Sequence, residues 1–267
     1  MVRKPAVAGQ FYSGDPKHLR DQLETFVKSE DKKIKVRGAI VPHAGYIYSG
    51  AVAGSVYARI HIPETVVILG PNHHGIGSKA ALYPPGEWLT PLGTIGIDQQ
   101  LSAEIRSTSS LVEEDSTAHL YEHSLEVQVP FLQYLNPDVS IVPLCLGFTD
   151  FSSCKSLGLS LAKAISTYQK DVLIIASSDM SHYQPAETAR HEDLLAIQEV
   201  LNMNPEGLYS IVTGRGISMC GIIPATVMLV AAMALGASKS ELIRYATSGE
   251  ASGDFKQVVG YAGVMVY

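Results

Sequence analysis

Histidines stand just beyond apolar, β-branched runs at three places in this chain: His43 after VRGAIVP, His73 and His74 after VVILGPN, and His182 after VLIIASSDMS. Imidazole is the commonest metal ligand and carries protons near neutral pH. In open α/β sheets, ligands gather in the crevice outside the carboxyl ends of the strands. Separate strands that each end in histidine therefore point to one shared, metal-competent site. Adjacent residues of an extended chain point in different directions. At most one of His73 and His74 is thus expected to meet a metal, the other supporting it or lying at the surface. Gly70, Gly75 and Gly77 around the pair allow close backbone approach.

Asp179 lies three residues before His182. A carboxylate beside an imidazole can fix its tautomer and raise its basicity as a general base; the plainer alternative is a helix-capping aspartate. Cys220, in GISMCGIIPATV, precedes an expected helix, where a thiolate would be favoured as metal ligand or nucleophile. Its alternative is a small buried hydrophobe. His123 and Glu126 are three apart in YEHSLEVQVP and are expected to share a helical face, as ligands or as groups that support them. Glu250 and Asp254 remain spare carboxylates, while His18, His61 and His191 read as exposed. There is no phosphate loop, GxSxG, HExxH or GxGxxG, so a nucleotide cofactor has little support.

The elements that must position these residues alternate between strand and helix. Asp15-Pro16 is an N-cap followed by proline, and Leu19, Leu23, Phe26 and Val27 then fall on one helical face. Val36–Val41, Thr65–Leu69, Val139–Leu144 and Val172–Ala176 read as strands. Ser49–Arg59 reads as a small-residue helix packed on a sheet, and Ala80–Asp98 as a hairpin or flap. Further helices are expected at Leu101–Ile105, Tyr121–Leu135 (with Pro130 a kink), Ser152–Tyr168, Glu187–Met203, Pro205–Val212 and Gly221–Leu235. Two strand-like runs close the chain, and Lys28–Lys35 reads as a solvated loop. This order argues one α/β domain over 1–267, with a largely parallel or mixed sheet sandwiched by helices.

Composition narrows the function classes. Of 267 residues, 17% are charged, below the usual quarter, which suits a large buried interior and self-association. The net charge of -6 and the absence of a basic tract argue against nucleic-acid binding. Three cysteines without CxxC spacing suit a reducing cytoplasm. No signal core and no apolar run of spanning length is found, so no membrane partner is expected.

Together VAGQFY, VPHAGYIYSG, LGPNHHG, EHSLEVQVPFL, SSDMSHY and the MCG turn resemble the Memo family, in that family's order and over nearly the whole chain. The resemblance implies a fold similar to class III, non-haem iron extradiol dioxygenases, with a metal cleft at the strand ends. It implies His43, His74 and Cys220 as metal ligands, and Asp179 and His182 lining the same cleft, the histidine as acid/base. It implies iron or copper as the metal. Vertebrate members are described as redox-linked and as binding phosphotyrosine peptides. Microbial members stand beside AMMECR-type and radical-SAM genes. The dioxygenases complete two histidines with a carboxylate; here that place matches Cys220, and thiolate shifts preference toward copper(I), zinc or other iron chemistry.

Three functions follow as expectations. The first is a mononuclear redox enzyme on a small substrate, with His73, His123 and Glu126 supporting the ligands. The second is a non-catalytic module that grips a peptide or protein through Tyr46, Tyr48, Trp88 and Tyr183. The third is a zinc hydrolase in which Asp179 or His182 activates water.

Overall fold

The structure is a computed structural model that describes residues 1–28 and 33–267. Residues 29–32, within the segment read as a solvated loop, lie outside the described residues. Along the chain run β1 (Val2–Arg3), α1 (Pro16–Phe26), β2 (Gly38–Val41), α2 (Tyr46–Arg59) and β3 (Thr65–Pro71). Then come β4 (Ala80–Leu82), β5 (Glu87–Thr90), β6 (Gly93–Gly96), α3 (Gln99–Thr108), β7 (Glu113–Glu114), α4 (Val129–Leu135) and β8 (Ser140–Leu146). The second half holds α5 (Phe151–Tyr168), β9 (Val172–Ser177), β10 (His182–Gln184), α6 (Ala186–Leu201), α7 (Pro205–Arg215), α8 (Ile222–Ala234), β11 (Ser240–Thr247), α9 (Gly249–Ser252) and β12 (Val258–Val266).

The main sheet has the order β10-β12-β2-β9-β3-β8-β4-β7, with β11 also on β12. Its centre, β2-β9-β3-β8, is parallel, and antiparallel strands flank it. These central strands are buried on both faces, which is why they read as unbroken apolar runs rather than alternating ones. Alternate residues feed two cores. Ile40, Val67, Leu69, Ile174 and Ala176 face the layer of α3, α5, α6 and α8. Ala39, Val41, Val66, Ile68 and Ile175 face the layer of α1, α2 and α4. A smaller sheet, β1-β5-β6, contains the expected hairpin. The single mixed α/β fold is thus as expected. Among the described residues no helix is long and apolar enough to cross a membrane.

One local expectation is extended and two are corrected. The small residues of α2 serve a helix pair as well as the sheet: a Cβ on Gly54 would strike the Phe26 backbone of α1. Residues Tyr121–Leu125 are not helical; Glu126–Gln128 form one 3-10 turn and the α-helix begins only at Val129. Pro130 therefore sits in the first turn of α4, where its missing N–H costs nothing, and makes no kink.

Candidate metal centre

Strand register brings the chemistry together. Val41 on β2 lies beside Ser177 on β9, and Leu69 on β3 lies beside Ala176. The residues just beyond these pairs, His43, Asp179 and His73, are therefore neighbours at one carboxyl edge. Opposite them the Tyr121–Leu125 segment supplies His123, and the turn before α8 supplies Cys220. The ring centroids of His43 lie 5.3 Å from His73 and 5.4 Å from His123, and those of His73 and His123 are 4.6 Å apart. One nitrogen from each of the three falls within 4.8 Å of the others, a group able to hold a metal ion.

Each ring is held from behind. Glu122 is fully buried and accepts from the His73 backbone N–H at 2.7 Å and the Ser124 N–H at 2.8 Å. Its Oε1 lies 2.9 Å from His73 Nδ1 and 3.5 Å from His123 Nδ1. Burial acts against its charge, but the hydrogen bonds and the His73 ring outweigh it and keep its carboxyl well below the ordinary range. An ionised Glu122 makes His73 Nδ1 the donor, so His73 Nε2 carries the free lone pair. This carboxylate–histidine pair is the usual support of a metal-ligating imidazole. Burial pushes His43 well below the ordinary imidazole value, and His123 down to about 4. Both rings are neutral near pH 7, the form that binds metal. The donor set thus fits a transition metal.

Cys220 is at the group's edge. Its Sγ lies 3.2 Å from His43 Nε2 and accepts the Asp179 N–H at 3.3 Å. Gly221 permits this approach, because a Cβ there would strike Ser178 and the Ser177 carbonyl. Burial pushes the thiol's pKa up, so without a metal it is protonated.

A cleft of about 660 Å³ opens over the histidines, lined also by Phe11, Tyr48, His182, Tyr183 and Asp254. The two expected catalytic residues divide their work differently from the expectation. Asp179, buried and with its pKa raised by that burial to about 6, accepts the His43 backbone N–H at 2.7 Å. It positions the His43 loop; the partner of His182 is Ser218. The Ser218 hydroxyl accepts the His182 N–H at 2.8 Å, and the Ser218 carbonyl is 2.9 Å from His182 Nδ1. A carbonyl only accepts, so Nδ1 carries the proton and Nε2 is the basic nitrogen. Tyr183 is a bulged residue of β10 with φ 57, a conformation a tyrosine rarely adopts, and its exposed ring stands at the cleft mouth.

Several expectations fail on geometry. His74 is not with His43: its Nε2 lies 3.0 Å from the Tyr121 carbonyl, on the exposed side, and His73 takes the inward place. Glu126 shares no helical face with His123. It turns to the amino terminus, where it meets Arg3 at 2.6 Å and accepts from Ala6, Val7 and Tyr12. Tyr46 is buried and donates to the Val127 carbonyl, and Trp88 is buried under the Arg3 guanidinium; neither lines the cleft. Glu250 faces Arg244 at 3.8 Å. Glu122, Ser124, Gln128, Ser177 and Ser218 were missed. Glu122 could have been noticed from its place beside His123, had the segment not read as a helix.

The family model of Memo-like proteins matches residues 3–265. A MEMO1 family protein of Methanosarcina barkeri is 45% identical over 267 residues, covering 99% of this chain and all of that protein. Another from Aquifex aeolicus is 44% identical over 266 residues, covering 99% of this chain and 98% of that one. Among solved structures, an uncharacterized protein of Escherichia coli K12 is similar with a TM-score of 0.55 at 12% identity, over 86% of this chain and 99% of that one. That last likeness concerns the fold alone.

Proposed function

The chain belongs to the Memo family, and from that premise we propose that its cleft is a mononuclear iron or copper site with an oxidoreductase-type role on a small substrate. The observation that carries the reading is the convergence of His43, His73 and His123, one nitrogen each within 4.8 Å, with Cys220 Sγ 3.2 Å from His43. Three imidazoles would hold the ion, and the adjacent soft sulfur favours copper or iron over hard cations. Such an ion, when bound, supplies Lewis acidity and one-electron redox chemistry.

The chain's own residues supply the rest. Glu122 and Asp179 hold His73 and the His43 loop in place. Phe11, Tyr48 and Tyr183 offer aromatic faces to an organic molecule at the open mouth of the cleft. His182 offers Nε2 as a proton acceptor beside that molecule, with its Nδ1–H anchored on Ser218. A peptide-binding role loses two of its four aromatic contacts, since Tyr46 and Trp88 are buried away from the cleft.

Elemental analysis of protein purified without added metal tests the proposal. About one iron or copper per chain is expected, lost in His43→Ala, His73→Ala and His123→Ala. No metal uptake, even on anaerobic reconstitution, would sink it. Zinc at full occupancy would replace redox chemistry with hydrolysis.

A further inference from the structure

Behind His43, away from the cleft, lies a fully buried chain of hydrogen bonds. The Tyr57 hydroxyl donates to Gln128 Oε1 at 2.9 Å. Gln128 Nε2 donates to the Pro42 carbonyl at 3.0 Å and to Ser177 Oγ at 2.8 Å. The Ser177 hydroxyl lies 2.6 Å from the Ser124 carbonyl and 3.0 Å from His43 Nδ1. Ser177, Gln128 and Tyr57 are fully buried and His43 is 2% exposed, so water does not compete for any of these bonds.

The direction of every bond follows from two carbonyls. Pro42 O can only accept, so the atom of Gln128 facing it is the amide nitrogen; a flipped amide would set oxygen against oxygen. Gln128 therefore donates to Ser177. Ser124 O also can only accept, and at 2.6 Å it takes the single hydroxyl hydrogen of Ser177. What Ser177 turns to His43 is then a lone pair. Nδ1 must carry the hydrogen, and Nε2 must carry the free electron pair on the side of His73, His123 and Cys220.

We infer that Ser177, locked by Gln128 and the Ser124 carbonyl, is a positioning residue that fixes the Nδ1–H tautomer of His43 and so presets its Nε2 as a metal ligand. Ser177 touches neither the cleft nor the ion's place. It works as Glu122 works on His73, but through a neutral hydroxyl. The tautomer of the histidine at the floor of the site is thereby fixed by a neutral group rather than by a carboxylate on its ring. This inference rests on the metal reading for its consequence, not for its geometry.

Two readouts test it. In metal-free, ¹⁵N-labelled wild-type protein, long-range ¹H–¹⁵N correlation shows which His43 nitrogen is protonated, with the signal assigned by its loss in His43→Ala. Protonated Nδ1 is expected; protonated Nε2 overturns the inference. In Ser177→Ala the Nδ1 hydrogen loses its acceptor, and a shift toward the Nε2–H form is expected. Cobalt(II) affinity, read from its visible bands, should fall about 10- to 100-fold, the usual effect of removing a partner behind a ligating histidine. Ser177→Thr, which keeps the hydroxyl, should restore both. Wild-type tautomer and wild-type cobalt affinity in Ser177→Ala would overturn the inference. If Ser177→Ala does not fold, the wild-type spectrum decides. If wild type takes up no cobalt, the metal reading falls, and the tautomer is still judged by its own spectrum.

Discussion

Replacing one histidine of the adjacent pair separates the two arrangements open to this site. In His73→Ala the metal group loses one of its three nitrogens and Glu122 loses its ring partner. A four-ligand zinc site is worth about 10–16 kcal/mol, or roughly 2.5–4 kcal/mol per ligand. At 1.4 kcal/mol per tenfold, His73→Ala should weaken metal binding about 60- to 700-fold. In His74→Ala the losses are one contact to the Tyr121 carbonyl and an edge contact with the Tyr121 ring, both on the exposed side. That change should stay within about 0.5 kcal/mol, less than threefold. Glu122→Gln should fall between them, about 10- to 100-fold, because the amide cannot accept all three donors that the carboxylate now satisfies. The assay is anaerobic competition against a chelator of known affinity, with each variant's folding checked by circular dichroism. An order of effect in which His74→Ala loses the metal and His73→Ala keeps it would refute the assignment.

Acid should act on the folded metal-free protein through His123. Its folded-state pKa of about 4 lies below the ordinary 6.5, so the unfolded chain takes up a proton there that the folded chain refuses. The contribution is complete above about pH 6.5 and is lost as pH falls toward 4, amounting to about 3 kcal/mol. Asp179, raised to about 6, works in the opposite direction, favouring the folded state at low pH and losing that effect as pH rises through 6. Urea unfolding in chelator from pH 7 to pH 4 should show His123→Gln losing about 3 kcal/mol less than wild type; parallel profiles would refute a neutral His123. Glu126→Ala should cost about 3–5 kcal/mol, because it strands the buried Arg3 guanidinium and three further donors. Thermal unfolding should show that loss while metal stoichiometry stays at one per chain, and a lost metal would return Glu126 to the site.

The sheet and the edge that carries the site were legible because the central strands are apolar on both faces and end in polar, glycine-flanked turns. Which of two adjacent histidines turns inward was not, because pattern alone does not say how a chain bends after its last strand residue. That bend is set by Glu122, which takes the His73 backbone N–H from 49 positions away in sequence. The same carboxylate explains the misread helix. Its Oε1 accepts the N–H of Ser124, two residues on, a local bond that competes with helical hydrogen bonding. The apolar spacing of LEVQVPFL looks helical, yet the turn before it is pulled open by an ionised side chain that must be satisfied indoors. Cys220 was legible as a candidate, but its place beside His43 depends on Gly221 leaving room for Ser178. In each case the reactive residue could be named from its type and its strand, while its orientation came from a buried group far away in sequence. The groups that decide the chemistry of this cleft are therefore as much Glu122 and Ser177, which do not line it, as the histidines that do.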